Sequence, residues 1–257
     1  MIRPIIRSVI GSVVSPVIRS VTGTGLFNPA SIAGLAVWLD GRELLASNFA
    51  LGSGVAVASW LDKSGNANHA SQGTAANQPI YDNVKRLVQF DGINDQLVFT
   101  NPAVFNGDYT VIISIEASTP RPAAIEILFS HSVTGNFNNS TYTSAEPNGD
   151  IRQNVIVAGV AQISNFPGIP TNAGEIFVTA NVNQANNFKQ YKNGALTQVD
   201  STGTIITTGI DQARLGASWG GGGNFYSGGI RDFLVYTGVK TDAEILTISN
   251  GITGRRL

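Results

Sequence analysis

Two stretches decide the fold: Trp60-Leu61-Asp62-Lys63-Ser64-Gly65-Asn66-Ala67-Asn68-His69-Ala70 and Val88-Gln89-Phe90-Asp91-Gly92-Ile93-Asn94-Asp95-Gln96-Leu97-Val98-Phe99. In the first, an apolar strand end runs into Asp, Ser, Gly and Asn. The side chains of such residues cap turns, or their backbones accept positive φ. In the second, two β-rich runs flank Asp91-Gly92 and Asn94-Asp95, which predicts strand, tight turn, strand. Between them Gln78-Pro79-Ile80-Tyr81 predicts an edge or entry strand, because proline cannot donate to a central ladder.

Further strands follow outward from this block. Leu35 to Gly41 and Val55 to Leu61 precede it. Thr110 to Glu116, Ile125 to Ser130, Val155 to Val157, Ile176 to Val182, Arg214 to Ala217 and Tyr226 to Tyr236 come after. Residues 131–150 are rich in Asn, Ser, Thr and Gly and predict an exposed loop or hairpin. Asn193-Gly194 predicts a type I′ hairpin turn. Thr241 and Glu244 make a capping box for a short C-terminal helix with Ile245, Leu246 and Ile248 on its apolar face, ended by Asn250-Gly251.

These motifs resemble the concanavalin-A-like lectin/glucanase superfamily, in its bacterial and phage laminin-G-like branch. Its domains read W-x-D-x-S-G-N-x-x-H-A, then Q-P-x-Y, then F-D-G-x-N-D. The likeness is carried by Trp60, Asp62, Ser64, Gly65, Asn66, His69, Ala70, Gln78, Pro79, Tyr81, Phe90, Asp91, Gly92, Asn94 and Asp95. It extends to an L-x-x-W-L-D opening at Leu35–Asp40, a Y-x-N-G hairpin at Tyr191–Gly194 and a closing strand at Tyr226–Tyr236, and so covers about residues 35–250. The resemblance implies an all-β, antiparallel jelly-roll sandwich with a short C-terminal helix. It does not fix the function, which lives in the site.

Composition agrees with one domain. The chain has 257 residues, enough for one sizeable sandwich. Charged residues make up 13% and glycines number 29, which suits short strands joined by tight turns. A formal net charge of −1 gives no global field for nucleic acid. Without cysteine there are no disulfides or thiolate metal sites. No run of about 18 apolar residues exists to span a membrane.

Residues 1–25 differ from the rest and read as an arm, extended or helical, with residues 26–34 as a linker and 35–257 as the jelly-roll domain. Apolar pairs recur every four residues at Ile5-Ile6, Val9-Ile10, Val13-Val14 and Val17-Ile18, then Val21. Arg3, Arg7 and Arg19 lie between, and no acidic residue appears before Asp40. A monomer has no evident cover for this stripe, so Ile5, Ile6, Val9, Ile10, Val13, Val14, Val17 and Ile18 are read as a partner-binding face. A secretory leader is the alternative, but Gly11, Ser12, Ser15, Pro16 and Arg19 interrupt its apolar core and no A-x-A site follows.

The chemistry points away from catalysis. Glycanases of this superfamily need paired carboxylates on one cleft. Glu126 has Leu128 and Ser130 at the next same-face positions, so the pair is missing and Glu126 is read as facing solvent or a loop. His69 reads as a packed turn residue and His131 as a solvated loop residue. Asp62, Asp91, Asn94 and Asp95 are oxygen donors of a type that suits calcium. At tight turns such residues usually cap backbone amides, so no metal and no cofactor is assigned. Trp219, Asn224, Phe225 and Tyr226, around the glycine tract 220–223, have the aromatic and amide chemistry to stack on and hydrogen-bond a sugar. Phe137, Asn138, Asn139 and Tyr142 form a second patch. The expectation is a non-enzymatic phage virion protein, a head or tail fibre or decoration component. It displays a lectin-like domain toward host glycans and is anchored through its arm to other virion proteins. A homo-oligomer is expected, with a trimer favoured by analogy with phage fibres. The alternative is a secreted or surface bacterial carbohydrate-binding module.

Overall fold

The computed structural model describes residues 27–42, 54–120, 122–134, 136–161, 169–172, 174–201, 203–218, 220 and 223–255. The arm residues Ile5 to Val21 and Trp219 lie outside them. The first strands are β1 (Leu35–Asp40), β2 (Val55–Ala56), β3 (Ser59–Trp60), β4 (Ala70–Ser71), β5 (Ile80–Asp82), β6 (Leu87–Gln89) and β7 (Leu97–Phe99). The long strands follow: β8 (Tyr109–Glu116), β9 (Glu126–Val133), β10 (Asn136–Ala145) and β11 (Asp150–Val157). Next come β12 (Val160–Ala161), β13 (Ile169–Pro170), β14 (Ile176–Asn183), β15 (Phe188–Lys192), β16 (Ala195–Asp200), β17 (Gln212–Leu215) and β18 (Gly229–Thr237), then helix α1 (Asp242–Gly254).

Two antiparallel sheets pack face to face as a jelly-roll sandwich. The first runs β16-β15-β14-β8-β18-β6-β5-β2, with β1 also on β18. The second runs β12-β11-β10-β9-β17-β7-β4-β3, with β13 also on β11. The opening strand pairs with the closing one, Trp38 opposite Leu234 and Asp40 opposite Asp232.

Burial explains the sequence pattern of the central strands. In β8, Tyr109, Val111, Ile113 and Ile115 point into the core between the sheets. Ile112 points the other way, with Val178, Ala180, Val182 and Leu234, against Ile245, Ile248 and Ile252 of α1. With both faces covered, β8 reads as a near-continuous apolar run rather than an alternation. The Asn193-Gly194 turn has both residues at positive φ, 50° and 83°, as a type I′ hairpin requires. The capping box is present: Thr241 Oγ1 accepts from the Glu244 amide, and Glu244 accepts from the Thr241 amide.

Three expectations are corrected. First, the helix does not end at Asn250-Gly251 but continues to Gly254. Gly251 serves close approach: a Cβ there would overlap the ring of Phe27. Second, the stretch read as a linker is docked. Phe27 and Ile32 pack on the helix-side cluster, Tyr236 donates to the Pro29 carbonyl at 3.1 Å, and Lys240 Nζ donates to that of Ala33 at 2.8 Å. Third, His131 is not a solvated loop residue. It lies within β9, fully buried, stacked on Phe105 at 5.2 Å with Nε2 2.6 Å from the Tyr109 hydroxyl. Burial pushes its pKa down to about 3.

Alanine is intrinsically the better helix former by about 1 kcal/mol, yet overpacking costs about 1–3 kcal/mol. Gly251→Ala is therefore expected to lower the melting temperature by displacing Phe27. Thermal melts of the two proteins check this, and an unchanged or raised midpoint would show that Phe27 is not seated on the helix.

Candidate functional site

The acidic residues of the two signature turns hold backbone. The Asp62 carboxylate accepts from the amides of Trp38 (2.8 Å), Ser64 (2.8 Å) and Asn68 (3.0 Å) and from the Ser64 hydroxyl (2.7 Å). His69 Nδ1 accepts from the Asp62 amide at 2.9 Å, the packed role expected of it. Asp91 Oδ1 accepts from the amides of Ile93, Asn94 and Asp95, and Asp95 Oδ2 accepts from that of Asp91 at 2.9 Å. Among the described residues no three His, Asp or Glu side chains converge as a metal-binding group.

The glycine loop divides into an anchored foot and a displayed tip. Asn224 is exposed with φ of 53°. Phe225 is half-buried and bridges Ile127 in parallel. Tyr226, expected to face a ligand, is fully buried; its hydroxyl donates to the Glu116 carbonyl at 2.7 Å and its ring lies 6.2 Å from that of Phe90. It is a core residue, and its pKa is raised by burial and then by Glu126 and Glu116.

Glu126 is the anchor of that foot: of the two placements expected, solvent or a loop, it takes the loop. It accepts from the Ser227 amide (3.0 Å), the Ser227 hydroxyl (2.7 Å) and the Ser118 hydroxyl (2.9 Å). The second carboxylate of this neighbourhood comes from β8: Glu116, paired with Lys85 Nζ at 2.7 Å. Strand spacing could not show that Glu116 approaches, since it arrives from the opposite sheet. Both carboxylates are committed to donors within the fold.

The two outer faces of the sandwich differ. Helix α1 covers that of the first sheet. On β9, β10, β11 and β17, alternation places Phe129, His131, Thr143, Val155 and Leu215 inward. The outward set is Ser130, Ser132, Ser140, Tyr142, Ser144, Arg152, Asn154, Ile156, Gln212 and Arg214. The register lines up Asn154, Tyr142, Ser130 and Arg214 in one row across four strands. The serines are fully buried; Tyr142, Arg152, Asn154, Ile156, Gln212 and Arg214 stand half-buried around them. Ser144 Oγ donates to Glu146 at 2.7 Å and accepts from Asn154 at 3.1 Å. Arg214 Nη1 donates to Gln96 at 2.8 Å. The glycine loop joins this face where Ser130 Oγ donates to the Ala217 carbonyl at 2.8 Å. Of the second sequence patch, Tyr142 belongs to this face, Asn139 accepts from the Ala158 amide, and the side chains of Phe137 and Asn138 lie outside the described residues.

Two cavities flank Gln89 beyond the loop foot. One, of about 220 Å³, is lined by Lys85, Glu116, Thr119 and Ser227. The other, of about 250 Å³, is lined by Gln78, Ile80, Asp91 and Asp95. Burial, and then the Asp91 charge, pushes the Asp95 pKa up to about 6.

No family model and no curated protein matches the chain. Solved structures do. Trypanosoma rangeli sialidase aligns at 16% identity over 85% of this chain and 33% of its own, with a TM-score of 0.57. The same enzyme in complex with sialic acid gives 0.60. The botulinum neurotoxin serotype D binding domain aligns at 13% identity over 85% of this chain and 52% of its own, with a TM-score of 0.58. The chain spans about a third of the sialidases and about half of the toxin domain. What is shared at this identity is the β-sandwich fold.

The raised pKa of Asp95 sets a pH dependence. Its folded-state value lies above the unfolded one, so its contribution to stability is greatest below about pH 4 and is lost as pH rises through about 6. Asp95→Asn keeps an oxygen for the Asp91 amide and removes the charge. It is expected to stabilise the protein by roughly 1–3 kcal/mol at pH 7.5 and by much less at pH 4. Urea unfolding at the two pH values checks this; an equal effect at both would show that Asp95 is ionised throughout.

Proposed function

We propose that the chain is a non-enzymatic carbohydrate-binding protein whose domain is of the concanavalin-A-like, laminin-G-like type, and that it works as a phage virion component. The observation that carries the binding assignment is the outer face of the second sheet. One aromatic ring, two guanidinium groups and two carboxamides stand together there, at Tyr142, Arg152, Arg214, Asn154 and Gln212, beside Ile156. The tyrosine offers an apolar surface and the amides and guanidinium groups supply hydroxyl-binding groups, above serines that are themselves fully buried. Phe225 and Asn224 border the same face from the glycine loop. The commitment of Glu116 and Glu126 to Lys85 and to Ser118 and Ser227 supports a binding role over hydrolysis.

Binding of the full-length chain to a glycan array and to host cells tests this. Tyr142→Ala and Phe225→Ala are each expected to weaken binding by about tenfold or more, equivalent to about 1.4 kcal/mol, with little change in melting temperature. Binding that survives both substitutions would overturn the site, and glycan cleavage by the purified protein would overturn the non-enzymatic reading.

The virion assignment rests on the arm. Each buried Ile or Val contributes about 1.5–3 kcal/mol, and ordering a residue costs about 1–2 kcal/mol. Over residues 1–25 the ordering cost outweighs the burial of the nine Ile and Val positions from Ile5 to Val21, and a partner surface would supply the difference. Arg3, Arg7 and Arg19 would pair with acidic groups on another virion subunit or on further copies of the chain in a trimer. Deleting residues 1–25 is expected to leave the melting temperature unchanged and to abolish oligomerisation and incorporation into particles. A secreted bacterial module would instead lose this segment on export, which sequencing the N-terminus of the mature protein would reveal.

A further inference from the structure

Polar side chains interrupt the interior of the sandwich. On β14 the inward positions after Phe177 are Thr179, Asn181 and Asn183, opposite Ile113, Val111 and Tyr109 of β8. Gln190 of β15 lies beside Asn181. These four face Thr143 of β10 and Gln153 of β11 across the gap between the sheets, and each of the six is at most 2% exposed. Besides the main apolar core there is a small second cluster of Val155, Phe188 and Ile205, and Val157 packs against both.

Three hydrogen bonds cross the layer. Asn181 Nδ2 donates to Thr143 Oγ1 at 3.2 Å, Gln190 Nε2 to the Ile151 carbonyl at 3.3 Å, and Gln153 Nε2 to Asn183 Oδ1 at 3.5 Å. The other polar atoms of the four residues are buried without a protein partner: Thr179 Oγ1, Asn181 Oδ1, Asn183 Nδ2 and Gln190 Oε1. Four such groups in one dry layer would remove a large share of the net stability that a domain possesses. Native interiors satisfy groups of this kind with ordered water.

The chemistry of the four atoms selects the ligand. Two are carbonyl acceptors, one is an amide donor and one is a hydroxyl that does both. A cation would leave the amide donor unsatisfied, and an anion would meet two carbonyl oxygens. Water donates and accepts, and no charged side chain is among the six. We propose that this layer is an internal hydration site, in which ordered water molecules bridge the β14–β15 hairpin to the β10–β11 hairpin. Water would supplement the three direct hydrogen bonds between the sheets here, where the other end is packed around Phe99, Phe105, Phe129 and Phe233.

Magnetic relaxation dispersion of water oxygen-17 on the full-length protein counts long-lived internal water. The wild type is expected to show it. A variant carrying Thr179→Val, Asn181→Leu and Gln190→Leu is expected to lose at least half of that signal while keeping its near-ultraviolet circular dichroism. No long-lived water in the wild type, or an equal signal in a folded variant, overturns the proposal. If the triple variant does not fold, a crystal structure of the wild type at a resolution that shows solvent decides: water bonded to Asn181 Oδ1 and Gln190 Oε1 supports the site, and a dry layer overturns it.

Discussion

The carboxylate of Asp40 holds the ends of the fold together. It sits fully buried at the end of β1 and receives Arg42 through Nε (3.1 Å) and Nη2 (2.9 Å), Lys63 at 3.5 Å, and Arg255 just past the terminal helix. Arg42 also donates to the Arg255 carbonyl at 3.1 Å. One anion thus ties the opening strand, the signature turn and the C-terminus of α1, segments that lie far apart in the chain. Lys63 and Arg255 both lie against the Trp38 ring, at 4.1 Å and 5.1 Å from its centroid. Breaking a buried ion pair by removing one partner costs about 3–5 kcal/mol, and here one partner serves three cations. Asp62 reinforces the join by accepting from the Trp38 amide.

Much of this was legible because turn chemistry is local. Asp62, Asp91 and Asn193-Gly194 announce their turns within a few residues, and Thr241 with Glu244 announces a helix start. The pairing of β1 with β18 was legible through the family motifs, not through any local physics. The misreadings share a cause: the partner is distant in sequence. Gly251 has the residue type of a helix stop, and only the Phe27 ring, arriving from the other end of the chain, makes it a packing site. His131 sits among Ser130, Ser132 and Thr134, a polar context that hides its position under Phe105 and Tyr109. Tyr226 flanks a glycine tract, but the strand leading into β18 carries it inward.

The candidate binding face was partly written in the chain. Ser130 and Ser132, then Ser140, Tyr142 and Ser144, alternate with inward residues at the period of a strand. That alternation could have marked a polar face with short side chains beneath larger ones. The step it could not supply is the cross-strand register that sets Tyr142 between Asn154 and Ser130 and brings Arg214 to the far side. The polar inward positions Thr179, Asn181 and Asn183 show the converse difficulty. Their alternation with Val178, Ala180 and Val182 suggests a solvated face, yet it is the helix that covers the apolar side and the second sheet that covers the polar one.

The docking of residues 27–34 has a mechanical consequence. Tension applied through the segment that precedes Phe27 does not reach a slack tether. It meets the Phe27 ring on α1 and the Pro29 and Ala33 carbonyls held by Tyr236 and Lys240. Beyond these lies β1, joined to β18 over its length, so a load directed along β1 would meet that ladder end-on. Its hydrogen bonds are then strained together in shear rather than peeled one at a time. Detaching residues 27–34 therefore means disturbing both the helix and the closing strand.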